Sequence, residues 1–238
     1  MPLRSIPPAL AAALVLAPVL LLAACAVSPD LAQPPTVYID EYVHRDFFPQ
    51  STVTPADQPA VPQTALFFPL ANRLGMRDAA HVGQQLSRVF WGKWLQLKVF
   101  DTMPFAEGEP FKDPAKAVAR ARAAGFDLAV GGEFTYLLFG GSAGTSTVSL
   151  RLDIYDTASG ELLWSMAHAG TMSADLTRDY FAFAVKNRLP TEPVAAIVAA
   201  LAEDLGKPVR EWNWFKEEER KKNPQPSPLD DPKPQPKQ

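Results

Sequence analysis

The chain has 238 residues, of which 47% are hydrophobic and 21% charged, with a formal net charge of −3. That length and composition suit one domain with a real core and leave no room for two large ones. A balance of 23 basic against 26 acidic side chains argues against nucleic-acid binding, which needs a concentrated basic footprint, and supplies no polybasic patch for an anionic bilayer.

At the N-terminus Arg4 precedes an apolar run, Ile6 to Leu22, interrupted by Pro7, Pro8 and Pro18 and followed by Ala23-Ala24-Cys25. Small residues before a cleavage point after an apolar core mark a secretory signal peptide over residues 1–24. Three prolines and a terminal cysteine weigh against an uncleaved membrane span, although about 20 apolar residues are long enough for one. The run Leu22-Ala23-Ala24-Cys25 resembles the lipobox of bacterial lipoproteins. That resemblance implies cleavage before Cys25 and attachment of diacylglyceryl and fatty acyl (palmitate) chains to it. Each buried CH₂ contributes about 0.8 kcal/mol, so two or three chains hold a protein to a bilayer almost permanently. Cys25 is the single cysteine of the chain, so no internal disulfide forms. In the same family Ala26 after the cysteine, rather than Asp, fits onward sorting to the outer membrane.

Residues 25–62 are rich in Pro, Gln, Thr and Asp, with little apolar periodicity beyond Val37-Tyr38-Ile39 and Phe47-Phe48. They read as a flexible tether spanning roughly 30 to 35 Å. A folded domain is expected over 63–216. Thr64 to Leu70 is a short apolar run fitting a buried strand. Asp78 to Leu95 carries Ala79, Val82, Leu86, Phe90 and Trp94 at helical spacing, and Gln96 to Phe100 reads as a second strand. The next helix has Asp113 as cap, Pro114 in its first turn, Ala115 to Ala124 as body and Gly125 as its close.

Phe126 to Leu138 reads as a strand. After Gly140-Gly141-Ser142-Ala143-Gly144, residues Thr147 to Asp156 alternate, with Val148, Leu150, Leu152 and Ile154 on one face and Ser149, Arg151, Asp153 and Tyr155 on the other, solvated one. Glu161 to Thr171 returns with Leu162, Trp164, Met166 and His168 on one face, completing a meander. A last helix, Glu192 to Leu205, is expected to stop at Gly206-Lys207-Pro208. Residues 217–238, a charged run followed by spaced prolines, bury too little apolar surface to offset ordering entropy and are expected to be disordered. The fold class is therefore α/β (α+β), a single mixed sheet in the order β-α-β-α-β-β-β-α with helices packed on it.

Ala123 to Phe134, Val148 to Asp156 and Ser159-Gly160-Glu161-Leu162-Leu163-Trp164 resemble the periplasmic α/β module of three groups. These are the curli-assembly lipoproteins, the lipoprotein activators of penicillin-binding proteins, and the N-terminal domain of the Tol-Pal translocation protein. The resemblance implies a non-catalytic envelope module that binds a protein partner or, as in curli assembly, a homo-oligomeric scaffold. It carries no catalytic motif, and the 172–189 segment is short and charged for a pore-forming hairpin.

His44, His81 and His168 lack metal-ligand spacing, and neither a metal nor a cofactor is expected. Gly131-Gly132 marks a bulge or close backbone approach, and the 140–144 glycines lack the Lys and Ser/Thr of a phosphate loop. Gly140-Gly141-Ser142-Ala143-Gly144 matches the letters of a nucleophile elbow, with His168 later in the chain. An elbow needs a helix after the serine, however, and a strand follows here, so a hydrolase using Ser142 is the weaker alternative. Glu133 and Asp153 are the acidic residues that would pair as acid and base, but no supporting constellation accompanies them and the chain reads as no enzyme. Partner contact is assigned to two aromatic clusters, Tyr180, Phe181 and Phe183 before the last helix and Trp212, Trp214 and Phe215 after it.

Overall fold

The computed structural model describes residues 36–45, 48–76, 78–108, 110–141, 144–173, 177–179 and 184–222. These residues fall into two compact units, one holding 36–39, 177–179 and 184–186 and the other the remainder. The small unit is a three-stranded sheet, order β1-β10-β9, from Thr36–Asp40 (β1), Thr177–Asp179 (β9) and Ala184–Arg188 (β10). Its β10 runs antiparallel to β9, with Val185 opposite Arg178.

The larger unit is a mixed seven-stranded sheet with helices on both faces. Its centre is the expected meander, Leu128–Leu138 (β6), Thr145–Asp156 (β7) and Leu162–Ser173 (β8), joined by antiparallel ladders that run from Leu128↔Asp156 to Thr145↔Ser173. On one edge Ala65–Phe67 (β4) and Ala71–Asn72 (β5) pair parallel to β6. On the other, His44–Arg45 (β2) and Gln50–Val53 (β3) pair antiparallel to β8. Part of the expected tether is thus sheet. Its pattern is illegible because the strands are two and four residues long and almost wholly exposed.

Two helices, Ala79–Leu97 (α1) and Pro193–Lys222 (α3), cover one face, and Pro114–Ala123 (α2) covers part of the other. The predicted inward residues of β7, Val148, Leu150, Leu152 and Ile154, meet Phe90 and Trp94 of α1 and Ile197, Val198, Leu201 and Leu205 of α3 in the main core. Beneath α2 a smaller core joins Ala117, Val118 and Ala121 to Leu66, Phe68, Phe111 and Ala129. Helix α2 begins as its sequence predicts: the Asp113 carboxylate accepts from the Ala115 and Lys116 amides, and Pro114 occupies the first turn.

Three expectations fail for identifiable reasons. Gln96 to Phe100 is not a strand: α1 runs to Leu97, and Lys98 ends it with a left-handed turn at φ 52°. The chain meets β4 only afterwards, where the amides of Ala65 and Phe67 donate to the carbonyls of Thr102 and Pro104 and a single bridge joins Phe67 to Phe105. Pro104 has no N–H to extend a ladder.

Helix α3 does not stop at Gly206-Lys207-Pro208 but continues to Lys222, through six residues expected in the disordered tail. An interior proline costs about 3 kcal/mol. Continuing the helix buries Val209 completely and brings Trp212, Asn213 and Trp214 onto the domain, and a fully buried Val or Leu side chain alone contributes about 1.5–3 kcal/mol. Burial therefore outweighs the local stop signal.

Asp153, the third, does not sit in solvent. It is buried on the face opposite the main core, where it accepts from the Ser165 hydroxyl at 2.7 Å.

Candidate functional site

Cys25, Leu22, Ala23 and Ala24 lie outside the described residues, as do Ser142 and the Tyr180, Phe181, Phe183 cluster. The second aromatic cluster is described, and its indoles are bonded within the chain. Trp212 donates its indole N–H to the Asp57 carbonyl at 2.8 Å and stands edge-on to Trp164, ring centroids 6.1 Å apart. Trp214 donates to the carbonyls of Lys98 and Val99 at 3.0 and 3.1 Å. Between them buried Asn213 accepts from the Gln63 amide at 2.7 Å and donates to the Val99 carbonyl. These side chains clamp the extended α3 onto the chain's own backbone, and Phe215 alone among the three aromatics is exposed.

The large apolar side chains that the fold leaves in water gather elsewhere. Tyr136, Leu138 and Phe139 lie at the β6–β7 hairpin, and Tyr42 and Phe48 flank β2. Sheet register places β2 at the same end of the sheet, three strands across from β6: His44 pairs with Thr171, Thr171 with Thr147, and Thr147 with Leu138. A bulge between Phe134 and Tyr136 shifts the alternation, keeping Phe134 in the core and turning Tyr136 outward opposite Ser149.

Away from α2 the same face is made of small side chains, Thr147 and Ser149 on β7 and Ala167, Ala169 and Thr171 on β8, all half-buried. Beside them runs an ion-pair chain: Arg73 and Arg151 reach Glu133 at 3.4 and 3.1 Å, and Arg151 reaches Asp153 at 3.3 Å. Glu133 and Asp153 are thus bridged by a guanidinium rather than sharing a proton. Burial, and next to it the Asp153 charge, push the Tyr155 hydroxyl above its ordinary pKa.

Under the opposite face His168 is buried, with Nε2 3.2 Å from Asp204 Oδ2 and Nδ1 without a hydrogen-bond partner. The same Oδ2 takes Arg45 Nε at 2.6 Å, and Lys207 lies 3.8 Å from Oδ1. A His–Asp pair resembles part of a triad, but register separates it from the 140–144 loop. His168 pairs at Leu150 while the strands leave that loop at Thr145↔Ser173, five residues further, or about 17 Å at strand rise. His44 instead bonds Glu41 at 2.8 Å. Among the described residues no three His, Cys, Asp or Glu side chains come together in a metal-holding group.

Gly131 and Gly132 are close-approach glycines, as expected. A Cβ on Gly131 would stand 2.2 Å from the Phe111 ring, and one on Gly132 2.0 Å from the Arg151 carbonyl oxygen. Among the described residues no helix is long and apolar enough to cross a membrane.

No protein-family model matches the chain, and a search of curated proteins finds no match. Solved structures do show similarity. A PelC dodecamer from Paraburkholderia phytofirmans is 17% identical over 71% of this chain and 97% of its own, with a TM-score of 0.44. A hypothetical protein from Chlamydia trachomatis is 10% identical over 64% of this chain and 99% of its own, TM-score 0.39. A Xanthomonas campestris protein assigned to the DUF330 family model is 11% identical over 74% and 97%, TM-score 0.36.

Proposed function

We propose that this chain is a membrane-anchored lipoprotein of the bacterial envelope, acylated at Cys25, facing the periplasm from the outer membrane and acting as a non-catalytic protein-binding or assembly module. The anchor rests on the lipobox Leu22-Ala23-Ala24-Cys25. The observation that carries the module is the exposure of Tyr136, Leu138 and Phe139 at the β6–β7 hairpin, with Tyr42 exposed at the same end of the sheet. Exposed aromatics held on a rigid sheet end are the side chains that protein contacts use as anchors.

The test has two arms. Cells expressing the wild type incorporate labelled palmitate into the protein and retain it in membranes, while Cys25→Ser does neither; equal membrane retention by Cys25→Ser would sink the anchor. For the module, a photo-crosslinker at Phe139 captures one defined envelope protein and the same crosslinker at Ser159 does not. Identical capture at both positions would sink the contact surface.

A second reading, a homo-oligomeric scaffold, is favoured by the face of Thr147, Ser149, Ala167, Ala169 and Thr171, whose small side chains permit close approach of a second copy. Light scattering of the detergent-extracted protein decides it. A mass that stays that of one chain removes this reading and leaves the first intact.

A further inference from the structure

We propose that His168, Asp204 and Arg45 form a proton-operated clasp that holds β2 against the main sheet. Strand β2 has only two paired residues, His44 with Thr171 and Arg45 with Gly170. Beyond those pairs it is kept in place by Val43, which is packed on the main core, by the Glu41 amide, which donates to the Arg188 carbonyl at 2.9 Å, and by Arg45, whose Nε is 2.6 Å from Asp204 Oδ2 on α3. The oxygen that holds Arg45 is also the one His168 addresses, at 3.2 Å. The strap and the histidine therefore share one atom.

With His168 neutral, its Nε2–H donates weakly to Asp204 and its buried Nδ1 has no partner. Protonation changes both ends of the ring. Nε2–H becomes a charged donor and draws Oδ2 toward itself, while Nδ1 becomes a buried N–H with no acceptor, which is costly to keep dry. The carboxylate then faces three cations, His168, Arg45 and Lys207, the last 3.8 Å from its other oxygen.

The remaining charged groups around the site do not relieve this. On α3 Glu203 is already held by Lys93 of α1 and by Lys207, β7 presents Leu150 opposite His168, and His44 on β2 is paired with Glu41.

Burial decides which cation leaves. The His168 side chain is 1% exposed and that of Arg45 39%, so Arg45 reaches water by a small movement and His168 reaches none unless β2 lifts. Lifting β2 also opens Nδ1 to solvent, since the β8 stretch His168–Ala169 lies in the gap between the β2 and β3 pairings. Both consequences of protonation favour the same motion. Once β2 is released, the first strand residue paired to β8 becomes Gln50 instead of His44. Release frees the segment between β1, which is paired in its own sheet, and β3. The clasp does not depend on the acylation reading above.

Hydrogen–deuterium exchange of the full chain at pH 7.5 and 5.5, the range in which histidine titrates, tests the clasp after correction for intrinsic rates. Protection of amides 43–45 is expected to fall at least tenfold at the lower pH, with β7 unchanged. His168→Gln keeps β2 protected at both pH values, Asp204→Asn leaves it weakly protected at both, and His44→Gln behaves as wild type. Should His168→Gln fail to fold, the double variant His44→Gln/His81→Gln, in which His168 is the remaining histidine, retains the pH response. Equal wild-type protection at both pH values, or a response lost with His44 and His81, overturns the proposal.

Discussion

Trp94 on α1 donates its indole N–H to the carbonyl of Ala202 on α3 at 2.8 Å, and Gly206, one turn further along α3, lies against the same ring. The main core is closed by this seam, in which both Trp94 and Ala202 are fully buried. A Cβ at Gly206 would stand 2.9 Å from Trp94 Nε1 and 3.2 Å from Leu97 Cδ1. Gly206→Ala therefore sets a helix-propensity gain of about 1 kcal/mol against an overpacking cost of about 1–3 kcal/mol. A net loss in urea unfolding is expected. Trp94→Phe leaves the Ala202 carbonyl without its indole donor and should cost about 1–3 kcal/mol from that bond alone. A stabilised Gly206→Ala protein would show that the seam is loose.

Asn213 is the more critical of the α3 clamps, because it is buried and serves two backbone groups, the Gln63 amide and the Val99 carbonyl. Asn213→Leu strands the Gln63 amide, at about 1–3 kcal/mol, while the Val99 carbonyl keeps the Trp214 indole donor at 3.1 Å. Trp212→Phe removes one bond to an exposed carbonyl, that of Asp57, and should cost less. Chemical denaturation of the two variants should rank them in that order, and the reverse order would mean that the aromatic packing of Trp212 on Trp164 outweighs the buried amide.

Gly131 and Phe111 are predicted to be coupled. Gly131→Ala places a methyl 2.2 Å from a Phe111 ring that is itself buried beneath α2, so about 2 kcal/mol or more of destabilisation is expected. Phe111→Leu makes room on that side. In the double variant the two costs should sum to less than their separate values, by more than the ~0.5 kcal/mol typical of independent sites. Strict additivity in urea melts would show that the backbone at Gly131 moves aside without involving the ring.

What the sequence makes legible here follows the strength of each periodic signal. Val148, Leu150, Leu152 and Ile154 alternate without interruption, and all four are core; Asp113-Pro114 carries cap and first turn together, and α2 starts there. The failures occur where tertiary burial overrides a local rule. Pro208 and Gly206 read as a stop, yet α3 passes through both because Trp94 and Val209 reward continuation. Strands β2 and β3 have too few residues for a pattern, and their partner β8 is more than a hundred residues away. The His168–Asp204–Arg45 cluster joins three elements distant in sequence, so no spacing announces it. Trp212 and Trp214 carry the composition of a contact site, but only the positions of the Asp57 and Lys98 carbonyls reveal that their donors are spent internally.

Glu203 gives the chain a small acid-side dependence whose sign is fixed by its neighbours. Hydrogen bonds from Lys93 first and Lys207 next hold its carboxyl below the usual pKa, with burial opposing them more weakly. A carboxyl whose folded pKa lies below its unfolded value, about 4.3 for Glu, adds stability that is present at neutral pH and lost as pH falls through the acidic range. The pairs are solvent-accessible, the side chain of Glu203 being 36% exposed, so the contribution at pH 7 is expected to stay under ~1 kcal/mol and to shrink in high salt. Glu203→Gln should lower the urea midpoint slightly at pH 7, and the deficit should shrink by pH 3 as the carboxyl takes up its proton. A midpoint difference of the same size at both pH values would assign the effect of Glu203 to packing along α1 and α3 instead of to its charge.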